Sequence, residues 1–280
     1  MLKQRIITAV LLLLVFLPAL FSSQPEWLGC VGLLLIIAAA WEWGRLNALG
    51  FLQAFTLSIC CLAMGMSLWV FEFAGRQSIW FWFSLSVFWM FITAYFFKNG
   101  IHSWTKIHFI IRNCVGVVLL TGTGLAFYQA KLIGTSFLTS ILLLVWVADI
   151  AAFFSGRRWG KNKLAPHISP GKSLEGLLGG IVAVWVLAFA WMALADLFPE
   201  MNDSIFNRLS VHGWLLMLAG LTFLTVMSAM GDLFESLIKR SAGKKDSSQL
   251  LPGHGGVLDR LDALLPVLPL AVLFSSFQAL

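Results

Sequence analysis

The chain has 280 residues, of which 59% are hydrophobic and 11% charged, with 19 Lys and Arg against 13 Asp and Glu. Soluble domains average roughly 45–50% apolar and about 25% charged residues, so an ordinary cytosolic enzyme, a disordered chain and a disulfide scaffold are excluded. The composition is that of an all-α polytopic integral membrane protein, with 13 Trp and 24 Phe against 2 Tyr.

A helix needs about 20 predominantly apolar residues to cross a bilayer, and nine stretches approach that length. In chain order they run from Ile6 to Ser22, Trp27 to Trp43, Phe51 to Phe71, Ile79 to Phe97, Phe109 to Gln129, Thr135 to Phe154, Gly176 to Leu197, Val211 to Phe234 and Leu261 to Leu280. The first follows Lys3 and Arg5 in the manner of a signal peptide, but Phe21-Ser22-Ser23 is a poor cleavage site, so it reads as an uncleaved span. Long, continuous apolar runs predict helices rather than strands, because a helix satisfies its own backbone groups in lipid. Cys30, Cys60, Cys61 and Cys114 lie in or beside these runs without C-x-x-C spacing and read as small buried hydrophobes, neither zinc ligands nor disulfide partners.

Basic residues accumulate in cytoplasmic loops. With nine alternating spans, sixteen bases fall on one side, and Arg76, Lys131 and Arg208 on the other. That partition places the N-terminus in the cytoplasm and the C-terminus outside, in the periplasm. Two connections on the cytoplasmic side are long and polar, from Ser155 to Glu175 and from Glu235 to Arg260, and together they hold ten of the bases. The chain accordingly divides into residues 1–134, which carry spans one to five, and 135–280, a catalytic region of spans six to nine with both loops. Glu26, Glu72, Asp196, Glu200 and Asp203 read as solvated charges of the outer loops, and His102 and His108 as exposed in a cytoplasmic one.

Acids in spans cost about 2.5–3.5 kcal/mol on insertion scales, so Asp149, near the end of the sixth span, and Asp232 and Glu235, at the end of the eighth, require a reason. If the eighth helix continues through Lys239, then Asp232, Glu235, Ser236 and Lys239 share one face. Asp259 and Asp262 stand three apart at the start of the ninth span. Carboxylates on two helix ends inside a ring of Lys and Arg fit magnesium held together with substrate phosphates. Between them, Pro252-Gly253-His254-Gly255-Gly256 reads either as a simple turn or as a backbone nest for an anion. Gly171-Lys172-Ser173 lacks the earlier glycine of a phosphate-binding loop and no strand is expected before it, so that motif is rejected. Gly176 and Gly180 have the spacing of close helix packing. The basic clusters have no stacking platform for nucleic acid, and anionic lipid headgroups are their simpler partner.

The run from Ser236 through Lys239-Arg240, Lys245-Asp246 and Leu251-Pro252-Gly253-His254-Gly255-Gly256-Val257-Leu258-Asp259-Arg260-Leu261-Asp262 resembles the signature of the phosphatidate cytidylyltransferases, or CDP-diacylglycerol synthases. The Asp149 segment, Lys161 to Pro166, Ser169 to Gly176 and Gly231-Asp232-Leu233 are similar to the same family, and Trp41-Glu42-Trp43-Gly44 is similar to its bacterial members. Ile150, Phe153 and Ser173-Leu174 depart from the usual pattern. The resemblance implies that CTP and phosphatidate give CDP-diacylglycerol and pyrophosphate at a magnesium site, leaves open a second, monovalent cation such as potassium, and implies a homodimer in a bacterial inner membrane with the active site facing the cytoplasm.

On that resemblance Asp232 and Asp259 are magnesium ligands, with Asp149 and Ser236 either as further ligands or as supports behind them. Lys239, Arg240, Lys245 and Arg260 neutralise phosphate charge. Lys172, Ser173, Ser236, Asp246, His254, Gly255, Gly256 and Asp262 complete the substrate site. Another CTP-dependent lipid-phosphate cytidylyltransferase or a lipid kinase is the nearest alternative activity. An ion-coupled transporter is the non-enzymatic one, although such sites lie near the bilayer midplane and here the charge gathers at one face.

Overall fold

The computed structural model describes residues 2–70 and 79–277. Glu72, Arg76 and the end of the ninth expected span lie outside them. The helices are α1 (Leu2–Phe21), α2 (Pro25–Leu46), α3 (Phe51–Val70), α4 (Ile79–Asn99), α5 (Ile101–Lys106), α6 (Phe109–Ile133), α7 (Thr135–Trp159), α8 (Leu174–Ala195), α9 (Ile205–Ser210), α10 (Trp214–Ser241), α11 (Leu258–Leu261) and α12 (Leu264–Ser276). Among the described residues, seven helices are long and apolar enough to cross a membrane: α1, α2, α4, α6, α7, α8 and α10. The third expected span is α3, whose apolar stretch Phe51–Ser67 is shorter.

The ninth differs most from expectation. α12 has 13 residues, about 20 Å at 1.5 Å per residue, against roughly 30 Å of hydrocarbon. It is buried almost throughout and packs against α4, α6 and α10. Proline shapes it, because Pro269 has no N–H to offer the carbonyl of Leu265. The Thr123 hydroxyl on α6 donates to that carbonyl instead, at 2.9 Å. α12 runs antiparallel to α10: Asp262 lies against Gly231, and Phe274 lies near Gly220 further back along α10.

The fold is all-α, as expected, and the first long loop adds one short hairpin to it, β1 (Lys163–Ala165) and β2 (Ser169–Ser173), antiparallel with Lys163 opposite Ser173 and Ala165 opposite Ser169. Glu175, at the start of α8, accepts from the Asn162 side chain at 2.7 Å and from the Lys161 backbone N–H at 3.1 Å, tying down the hairpin entrance. α7 and α8 pack closely, as the glycine spacing predicts: a Cβ at Gly176 would stand 2.8 Å from the Ala152 carbonyl, and one at Gly180 2.9 Å from that of Ala148.

All four cysteines are free, but only Cys61 is buried. Cys30, Cys60 and Cys114 are exposed on the bundle surface. An apolar chain in lipid has no need to hide a thiol inside the protein, so hydrophobicity did not imply burial. Deeper in, Phe234 of α10 is ringed by Trp43, Trp89, Phe96 and Trp104 at centroid separations from 5.5 to 6.3 Å. This aromatic cluster joins α2, α4, α5 and α10 beneath the charged end of the bundle.

Candidate active site

α10 remains helical through Ser241, so the acids and bases at its end fall on successive turns. The Ser236 hydroxyl donates to Asp232 Oδ1 at 3.2 Å, and Lys239 pairs with Glu235 one turn back. Strand β2 brings Lys172 to the same place: its Nζ is 2.5 Å from Asp232 Oδ2 and 3.4 Å from the carbonyl of Ala229. Asp149, exposed on α7, stands within the field of Lys172 and Asp232. Ser173 takes a different place. It caps α8 by accepting from the Gly176 N–H at 3.2 Å, and it is buried against Gly156 and Gly160.

The chain after α10 folds back over these groups. Asp259 Oδ1 lies 2.6 Å from Lys239 Nζ. Its Oδ2 accepts from the Ser247 N–H at 3.0 Å, the Ser247 hydroxyl at 2.9 Å and the Gly256 N–H at 2.7 Å. Burial alone would raise the pKa of Asp259, but the hydrogen bond from Lys239 and that from Gly256 outweigh it and hold the carboxyl below its ordinary range. Gly253 and Gly255 have φ of 78° and 85°, which side chains rarely adopt, so the turn around His254 depends on glycine. Arg260 donates to the His254 carbonyl, while His254 Nδ1 is buried with no hydrogen-bond partner among the described residues. Arg240, Lys245, Asp246 and Arg260 form an exposed rim.

Asp262 is arranged differently from Asp259. Among the described residues, its carboxylate accepts one hydrogen bond, from the N–H of neighbouring Ala263 at 2.8 Å, and it lies within the electrostatic reach of both Asp232 and Glu235. The proline at 266 supplies no N–H to the Asp262 carbonyl, which lies so close to Gly231 that a Cβ there would approach it to 2.4 Å. No three His, Cys, Asp or Glu side chains among the described residues form a ready-made metal cluster. What the site offers a hard cation is two carboxylates within each other's electrostatic reach, Asp232 and Asp262, with Asp149 nearby. Such a donor set fits magnesium, which takes one or two carboxylates and completes its shell with substrate phosphates and water.

Glu42, on α2, belongs to this site, although the sequence marked it only through the family-like Trp41-Glu42-Trp43-Gly44 segment and gave it no role. It is fully buried and lies within hydrogen-bond reach of four donors, the hydroxyls of Ser247 and Ser248 and the backbone N–H groups of Val257 and Leu258. From α1, Arg5 Nε donates to the Gly253 carbonyl and the Thr8 hydroxyl to the Pro252 carbonyl, each at 2.9 Å. The loop of the C-terminal half is thus held by the N-terminal helices. Beside it opens an apolar cavity of about 320 Å³ between α1, α2, α6, α7 and α12, with Phe16, Phe127 and Trp146 in its walls and Arg260 at its edge.

The cytidylyltransferase family profile matches residues 3–278 of the chain. Curated relatives include the phosphatidate cytidylyltransferases of Haemophilus influenzae, 33% identical over 99% of this chain and 99% of its own, and Pseudomonas aeruginosa, 32% identical over 96% and 95%. That of Staphylococcus haemolyticus is 32% identical over 96% of both chains.

Proposed function

Because the chain belongs to the cytidylyltransferase family, we propose that it is a phosphatidate cytidylyltransferase, converting CTP and phosphatidate to CDP-diacylglycerol and pyrophosphate. The observation that carries this reading is one juxtaposition: a carboxylate and lysine cluster, rimmed by Arg240, Lys245 and Arg260, stands beside an apolar cavity edged by Arg260. A reaction between a polyanionic nucleotide and a phosphate on two acyl chains needs both environments within reach of each other.

In the step itself a phosphate oxygen of phosphatidate attacks the α-phosphorus of CTP, the new P–O bond forms, and the bond to the bridging oxygen breaks to release pyrophosphate. The second pKa of a phosphomonoester is near 6, so the nucleophile is already largely dianionic and no side chain has to remove a proton. The exposed cations Arg240, Lys245 and Arg260 meet the triphosphate and lower the repulsion between the two substrates. Lys172 neutralises Asp232 while keeping a positive charge at the reacting phosphates. Lys239, held by Glu235 and Asp259, acts on phosphate at longer range. Magnesium, when bound, would neutralise charge on the transferred and departing phosphates; Asp232 with Asp262 would hold it, Asp149 and Ser236 close by. Asp259, already saturated with donors, contributes by shaping the loop and would become a ligand only by releasing them.

The same reading places the chain in a bacterial inner membrane, with the N-terminus and the site on the cytoplasmic side and the C-terminus in the periplasm. That the C-terminal ends of α2, α7 and α10, the second, sixth and eighth expected spans, meet at the site supports this reading. A homodimer follows from family similarity and is tested by crosslinking in the membrane. The decisive assay supplies purified protein in detergent with CTP, magnesium and labelled phosphatidate. Pyrophosphate release with CMP retained on the lipid supports the reading. Release of CDP would indicate a lipid kinase, turnover only with another lipid phosphate a different cytidylyltransferase, and ion flux in liposomes without turnover a transporter.

A further inference from the structure

We propose that Glu42 is a positioning residue for nucleotide binding: it fixes residues 247–258, and through Ser247 the Asp259 carboxylate, in the conformation that receives the triphosphate. The inference rests on the function proposed above. Its basis is the way the Glu42 acceptors are divided. Oε1 accepts from the Ser248 hydroxyl and the Val257 N–H at 2.9 Å. Oε2 accepts from the Ser247 hydroxyl at 3.1 Å and the Leu258 N–H at 2.7 Å. Both oxygens therefore face a hydroxyl and a backbone donor, one at each end of the loop that contains the His254 turn.

Two further features tie this carboxylate to the site rather than to the general core. The Ser247 hydroxyl stands within hydrogen-bond reach of both Glu42 Oε2 and Asp259 Oδ2, at 3.1 and 2.9 Å. It has one proton to donate, so the position of Asp259 is coupled to that of Glu42. In addition, a Cβ on Gly256 would fall 1.9 Å from Ser247 Oγ and 2.6 Å from Glu42 Oε1. Glycine stands in the His-Gly-Gly turn at the point where the buried carboxylate passes beneath the backbone. α2 thereby fixes the height of the turn.

Glu42→Gln is the diagnostic variant because it keeps the shape and removes one acceptor. Whichever way the amide is turned, its NH₂ confronts the N–H of Val257 or of Leu258, and a backbone donor cannot reverse as a hydroxyl can. In folded, purified protein, the KM for CTP should rise at least about tenfold, the scale of losing hydrogen bonds to a charged acceptor, while the KM for phosphatidate stays within about twofold. Glu42→Asp, which keeps both acceptor oxygens on a shorter stem, should recover part of the loss. Ser247→Ala should raise the same constant, and the double variant should fall short of the product of the two effects.

An unchanged KM for CTP in Glu42→Gln overturns the proposal. So does an equal loss for both substrates accompanied by a lower unfolding temperature, which would make Glu42 a folding residue only. Hydrogen exchange reads the contact without turnover: the Val257 and Leu258 amides should exchange faster in Glu42→Gln than in wild type, and equal rates overturn the proposal. Wild-type protein without CTP-dependent turnover but with that exchange difference would instead refute the assigned reaction and leave the loop contact standing.

Discussion

Two carboxylate groups occupy the same end of the bundle and are built on opposite plans. Glu42 and Asp259 are surrounded by donors from the loop they organise, with Lys239 closing one end of the network. Asp232 and Asp262 lie within each other's electrostatic reach with few donors, Lys172 and Ser236 on the first and Ala263 N–H on the second. Buried acceptors that are fully hydrogen-bonded stabilise a fold. Acids left facing each other cost stability, and the cost is offset when a cation arrives. Under the proposed function, the contrast gives the first group the role of scaffold and the second that of ligand.

The largest effect that tests the contrast is on activity. Asp232→Asn should reduce CDP-diacylglycerol formation at least about a hundredfold, measured by product mass spectrometry, with little change in thermal unfolding because it also relieves repulsion with Asp262. Asp259→Asn should damage both properties. Lys239 keeps Glu235, so weakening its partly buried pair with Asp259 and the loop hydrogen bonds should cost about 1–3 kcal/mol, seen as a lower unfolding midpoint in detergent. Equal stability of the two variants would erase the distinction. The pH dependence has a definite sign. The pKa of Asp259 is depressed in the folded protein, so its contribution is present above the ordinary carboxylate range, about pH 4, and is lost as pH falls through the folded value. The stability gap between wild type and Asp259→Asn should therefore narrow in acid.

Gly256→Ala comes next, because the added methyl would be driven onto Ser247 and Glu42. Overpacking of this kind costs about 1–3 kcal/mol, and the damage should extend to CTP affinity, measured as KM. A variant with wild-type stability and KM would show that the scaffold group yields easily, contrary to its dense hydrogen bonding.

Much of this arrangement was legible in residue order alone. The helices announced themselves by length and apolarity, and the spacing of Asp232, Glu235, Ser236 and Lys239 led directly to the paired groups along α10. The role of Glu42 was not legible in that way, because its partner Ser247 lies 205 positions away and only the folded chain brings them together. The hairpin from Lys163 to Ser173 carries no alternating apolar pattern, its stability coming from Glu175 and the pairing itself. The different surroundings of Asp259 and Asp262 are equally hidden, for only the folded loop brings the Ser247 and Gly256 donors to the first and leaves the second with the Ala263 N–H. Burial was the least readable property, since lipid-facing and core-facing side chains are alike apolar and only contacts separate α12 from the exposed face of α1.

Ser173 provides the smallest and most discriminating effect. It adjoins Lys172 on β2, and successive residues of a strand point to opposite faces. Lys172 reaches Asp232 while Ser173 turns toward the end of α7, where its hydroxyl caps α8. Losing such a cap costs about 1 kcal/mol, so Ser173→Ala should lower the unfolding midpoint slightly and leave both KM values and kcat within about twofold. A fall in kcat or a rise in KM for CTP at unchanged stability would return the hydroxyl to the substrate, where the motif alone had placed it. It would also mean that the hairpin shifts on binding and that the division between scaffold and ligand groups holds only for the free enzyme.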